Sequence, residues 1–137
     1  MRRLLASSCL PLAALALAAC GAAPATSTSG FSGAEREVAQ TIASLQSNAT
    51  SAEERKICEQ DLAASVVSRL GGVKSCEAAI KTQLGGVDNL EVAVASVKIA
   101  PHGTTATATV RSIHEGKTRP SNVALVKEGG KWKISGL

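Results

Sequence analysis

After Gly85-Gly86 the apolar residues change period, from 3.6 to 2. No other feature constrains the fold of this chain as strongly. Upstream of the switch, Val38, Ile42 and Leu45 recur at i, i+4 and i+7, the single stripe of an amphipathic helix. Ser32-Gly33-Ala34-Glu35 before it has the form of a capping box, and Asn48 and Thr50 interrupt it. Ser51-Ala52-Glu53-Glu54 offers a second box. Cys58, Leu62, Val66 and Leu70 then share one i+4 ladder until Gly71-Gly72, with a break near Asp61 as the alternative. Ser75 is placed to cap a third, short helix carrying Cys76, Ile80 and Leu84, which Gly85-Gly86 ends.

Downstream, Leu90, Val92 and Val94 alternate, and Val97 and Ile99 resume out of phase. One extra residue near Ala95-Ser96 predicts a β-bulge that bends the strand. Pro101-His102-Gly103 is a turn, and Ala106, Ala108 and Val110 alternate with threonines as a second strand. Glu115-Gly116-Lys117 turns the chain again, and Asn122 to Lys127 is the third strand. Glu128-Gly129-Gly130-Lys131 closes a hairpin to a fourth, where Trp132 and Ile134 share a face. Helices followed by an antiparallel meander define an α+β plan. With one Phe, one Trp and no Tyr, the core must come from Val, Ile, Leu and Ala, and the aromatic platforms of single-strand nucleic-acid binders are missing.

The N-terminus predicts where the chain works. Arg2 and Arg3 precede an uncharged Leu/Ala-rich run from Leu4 to Leu17, too short to span a bilayer as a helix. The run ends in Leu17-Ala18-Ala19-Cys20, which resembles the lipobox of bacterial lipoproteins. The resemblance implies that residues 1–19 are a signal peptide and that Cys20 is lipidated. The protein would be extracytoplasmic, lipid-anchored in the outer leaflet of the cell membrane, or in the outer membrane of a diderm host. Alternatives are an ordinary secretory signal and an uncleaved anchor. Residues 20–33 form the lipidated Cys and a flexible linker with an r.m.s. span of ~20 Å, and residues 34–137 form one α+β domain.

Under that processing Cys9 is lost and Cys20 is acylated, so only Cys58 and Cys76 remain to pair. The compartment permits a disulfide; two buried free thiols are the alternative. A zinc site from Cys58, Cys76, His102 and His114 has no standard spacing. Residues 98–137 carry seven basic and two acidic groups, against six and nine over residues 21–97. The overall balance is too mild to imply nucleic acid. The basic half is either a solvated sheet face or a surface for anionic lipid and wall polymers.

The order of elements, the bent sheet and the ending Val126-Lys127-Glu128-Gly129-Gly130-Lys131-Trp132-Lys133-Ile134 resemble the nuclear transport factor 2-like superfamily. The resemblance covers about Ala34 to Leu137. It implies a cone, in which a curved antiparallel sheet wraps N-terminal helices; a cystatin-like fold is the alternative. Isomerases and cyclases of that superfamily place Asp, His or Tyr inside the cone. Here Tyr is absent, His102 is in a turn, His114 ends the second strand, and Asp61 and Asp88 fall near element ends, where capping explains them. No P-loop, dinucleotide fingerprint, nucleophile elbow or metalloprotease motif occurs. The expectation is a non-enzymatic envelope lipoprotein that binds a small apolar ligand or a protein partner, without a cofactor or metal. Ala106, Ala108, Val110, His114 and Trp132 are its candidate pocket. An accessory domain docking on another envelope protein is the second reading, and an isomerase- or cyclase-type enzyme the third.

Overall fold

The structure, a computed structural model, describes residues 26–86, 91–114 and 117–137. The signal segment, Cys9, Cys20, Asp88 and Leu90 lie outside the described residues. Helix α1 (Gly33–Thr50) is followed by a single turn, α2 (Glu54–Lys56), which runs into a π-helical turn at Ile57–Asp61. Two further helices, α3 (Ala64–Arg69) and α4 (Val73–Leu84), precede strands β1 (Glu91–Ile99), β2 (Thr105–His114), β3 (Lys117–Glu128) and β4 (Lys131–Gly136). The strands form one antiparallel sheet in the order β1-β2-β3-β4. The chain is therefore α+β with an open meander.

The apolar stripe of α1 is buried as the period requires: Val38 and Ile42 are sealed in the core and Leu45 packs against it. Asn48 and Thr50 do not interrupt the helix. The Thr50 hydroxyl donates to the Gln46 carbonyl at 2.8 Å, and the Asn48 amide finds a tertiary acceptor. None of the three expected side-chain caps forms. Ser32 does stand at the N-cap of α1, but Gly33 follows it at φ +53° and the serine hydroxyl makes no capping bond. Ser51 instead closes α1, its N–H bonding the Ser47 carbonyl at 3.0 Å. Gly72, at φ +93°, lets α4 start one turn before Ser75.

The ladder Cys58-Leu62-Val66-Leu70 is broken immediately after Asp61. Leu62 is extended and bridges in parallel to Ile134, and Ala63 N–H donates to the Ile134 carbonyl at 2.8 Å. The unpaired edge of β4 thus captures one residue pair of the helical region and satisfies its own backbone there. A disulfide joins Cys58 of the π turn to Cys76 of α4, with Cα atoms 6.1 Å apart.

The sheet carries the expected bulge, between Val94 and Ser96 of β1. Its inner face alternates as expected: Ala106, Ala108 and Val110 of β2, Val123 and Leu125 of β3, and Trp132 and Ile134 of β4 are buried under the helices. Strand β3 starts at Lys117, five residues before the expected Asn122. Its first half pairs only with β2, because β4 reaches no further than Ala124. Pro120 is tolerated there, where one side of the strand needs no donor. The end of the expected linker is laid on the fold: Thr26 is buried, and Phe31 packs against the core.

Candidate functional site

Four polar residues of α1, Glu37, Gln40, Thr41 and Ser44, recur at i, i+3, i+4 and i+7. They form a second stripe beside the apolar one. That stripe faces Gly130, Lys131 and Trp132 at the β3–β4 turn, and the two sides enclose an open cleft of about 330 Å³ with Asp61 in its wall.

Asp61 is only 2% exposed. It ends the π turn, and Leu62 immediately departs in extended conformation, which carries the carboxylate toward α1. Its Oδ1 accepts a hydrogen bond from Ser44 Oγ and its Oδ2 one from Asn48 Nδ2, each at 2.7 Å. Burial holds the carboxyl above the usual carboxylate range; the hydrogen bonds from Asn48 and Ser44 and the charge of Lys133 counter this only in part. Lys133 Nζ donates to the Glu59 carbonyl at 2.9 Å and to the Gln60 carbonyl, so the cation is fixed to the π turn. Asp61 is thus not a helix cap, as its position near an element end had suggested. The break in the ladder turns it inward.

The opposite wall is built on Trp132. Its Nε1 donates to Glu37 Oε2 at 3.2 Å, and its carbonyl accepts from Thr41 Oγ1 at 3.4 Å. Lys127 Nζ lies 5.5 Å from the ring centroid and 3.4 Å from the same Glu37 oxygen. Such a cation–π contact adds about 0.5–1 kcal/mol at an exposed site. The indole is therefore clamped between α1 and β3, and it is a wall of the cleft as well as a core residue. Among the described residues every buried side-chain polar atom has a partner.

The expected pocket residues do not share one cavity. Ala108 and Val110 are packed in the core, Trp132 lines the cleft, and Ala106 borders a separate hollow of about 340 Å³ between Lys98–Ala100 and Leu125. His114 ends β2, with its side chain outside the described residues, and His102 is exposed in the β1–β2 turn. The disulfide occupies both cysteine sulfurs, which removes them from a zinc site. Among the described residues no cluster of three His, Cys, Asp or Glu side chains could hold a metal ion. Sequence reasoning assigned Asp61 to a cap and missed Ser44, Glu37, Gln40 and Thr41. The signal available was the polar stripe of α1 leading to Asn48. No helix among the described residues is long and apolar enough to cross a membrane. Comparison with protein families, curated proteins and solved structures finds no match to this chain.

Proposed function

We propose that the chain is a lipid-anchored envelope protein whose domain binds a ligand or a protein partner without catalysis, and that the Asp61 cleft is its binding surface. The open cleft between α1 and the β3–β4 turn carries this reading. It offers carboxylate and amide acceptors, a lysine at the rim and an indole wall, which suits a small polar or amphipathic group better than a purely apolar one. The anchor rests on Leu17-Ala18-Ala19-Cys20. A cone of the nuclear transport factor 2-like type is supported by the β1 bulge and by helices packed on one face of the sheet. Several helices in place of a single long one argue against the cystatin-like alternative.

One observation favours an acid–base enzyme as the second reading: a buried carboxyl with a raised proton affinity in the wall of an open cleft. Native mass spectrometry of the protein extracted from its own membranes separates the readings. A binding protein carries an added mass, or a partner cross-linked through Lys131, and Gln40→Trp, which fills the cleft from α1, removes it. Conversion of the carried molecule, abolished by Asp61→Asn, establishes the enzyme instead. A bare chain with no cross-link at the cleft refutes both. The same spectra report whether Cys20 is acylated, and an unmodified mature N-terminus at another residue refutes the anchor.

A further inference from the structure

The domain holds its own tether far upstream of the first helix. Thr26 donates its hydroxyl to the Val92 carbonyl of β1 at 2.7 Å and touches the side chain of Gln46 on α1. Phe31 N–H bonds the Thr28 carbonyl at 3.2 Å, and Arg36 Nε bonds the Phe31 carbonyl at 2.8 Å. Six residues separate Cys20, the expected lipid site, from Thr26. Fully stretched, six residues reach ~20 Å, so an anchored domain stays close to the headgroups.

The docking point also fixes which part of the domain comes nearest. Val92 is in register with Ser112, and Ser112 with Arg119, so Thr26 lies at the end of the sheet where β2 passes into β3. That end projects beyond β4, which pairs with β3 only from Ala124 onward. It exposes Ile113, a large apolar side chain 44% accessible, on the same face as the exposed Arg111, while the exposed Lys117 and Arg119 stand on the opposite face of the same end. Glu91 pairs with Ile113, so the excess charge is modest. Over a screening length of ~8–10 Å it acts only at contact. A short tether supplies that contact by raising the local concentration of lipid.

We propose that the β2–β3 end of the sheet is the membrane-facing surface of the anchored protein. Ile113 enters the headgroup layer, and Arg111, Lys117 and Arg119 meet the lipid phosphates. This rests on acylation of Cys20. The test uses the full chain as processed by its cells, with acylation read from its mass, reconstituted in phosphatidylglycerol-containing vesicles with brominated acyl chains. Trp132, the one native tryptophan, is only 4% exposed and serves as the internal reference. Ile113→Trp should be quenched several-fold more than His102→Trp, which reports the opposite end of the sheet. Thr26→Val, which releases the tether, should narrow that difference. An acylated protein quenched equally at both positions, or only at position 102, overturns the orientation and leaves the anchor intact. An unacylated mature chain overturns the anchor, and the orientation falls with it.

Discussion

Replacing Asp61 by alanine and by asparagine separates what its shape contributes from what its charge does. The carboxylate is buried and accepts one hydrogen bond at each oxygen, from Ser44 and Asn48. Asp61→Ala removes the 2.7 Å acceptor of the buried Asn48 amide and leaves it only a longer bond to Ser44 Oγ at 3.4 Å, and a buried donor stripped of its main acceptor costs ~1–3 kcal/mol. With the lost hydrogen bond to Ser44, whose hydroxyl can turn to water in the cleft, the expected loss is ~2–4 kcal/mol. At ~4–8 °C per kcal/mol for a domain of this size, melting falls by at least ~8 °C. Asp61→Asn keeps the outline: the new carbonyl accepts from Asn48 and the new amide donates to Ser44. It also removes a desolvated charge, so the loss should stay within ~1 kcal/mol. The pH dependence has a definite sign. Burial raises the carboxyl's proton affinity in the fold above that of the unfolded chain, whose ordinary value is 3.8. The native state therefore holds the proton more tightly. Wild type should gain stability relative to Asp61→Asn as pH falls through the raised value toward 3.8, and change no further below it. Urea unfolding of the oxidised proteins at neutral and mildly acid pH measures both effects. If Asp61→Ala costs under ~0.5 kcal/mol, the hydrogen-bond argument fails. If wild type loses ground to Asp61→Asn on acidification, hydrogen bonding outweighs burial and the sign is reversed.

Cys76→Ala opens a loop with a sequence separation of 18; chain entropy sets the loss at ~3 kcal/mol. Urea unfolding measures it, and non-reducing peptide maps should join the Cys58 and Cys76 peptides. Leu125→Ala, at a core position 1% exposed, should cost ~2–5 kcal/mol with the unfolding slope unchanged. Gly72→Ala forces a side chain into φ +93° with open space around it, so its cost of ~1–3 kcal/mol is backbone strain alone. A Gly72→Ala melting point equal to wild type would show that the α3–α4 connection relaxes instead.

What was legible in the sequence was whatever rests on periodicity. The stripe of α1, the alternation of β2, the bulge in β1 and the β3–β4 hairpin follow from side chains repeating at 3.6 or 2, and the sheet buries those residues. Caps were not legible, because a serine followed by a glutamate three residues later also occurs where the backbone takes another path. Ser32, followed by Gly33 at positive φ, and Ser51, bonded to the preceding helix, are such places, and Gly72 at positive φ starts α4 ahead of Ser75. The early start of β3 was hidden for a related reason. Lys117 to Pro120 have no buried face to alternate against, since only β2 flanks them.

The site was hidden by one backbone event. As a continuous helix, Cys58, Leu62, Val66 and Leu70 would all face the core, and Asp61 would lie beside Leu62 near a helix surface. In the fold Ala63 gives its N–H to β4 in place of the helix, and Leu62 N–H reaches back five residues to the Ile57 carbonyl at 3.0 Å. Leu62 stays buried, Leu70 is left 37% exposed, and Asp61 rotates into the core side. A long-range strand contact therefore decides the position of the carboxylate, and no local pattern encodes it. The same event explains why Asn48 is tolerated on a buried position of α1: its amide is the partner that the inward carboxylate requires. The polar stripe of α1 and the break in the ladder are two halves of one arrangement. Each looks like an imperfection in its own helix until the other is set beside it.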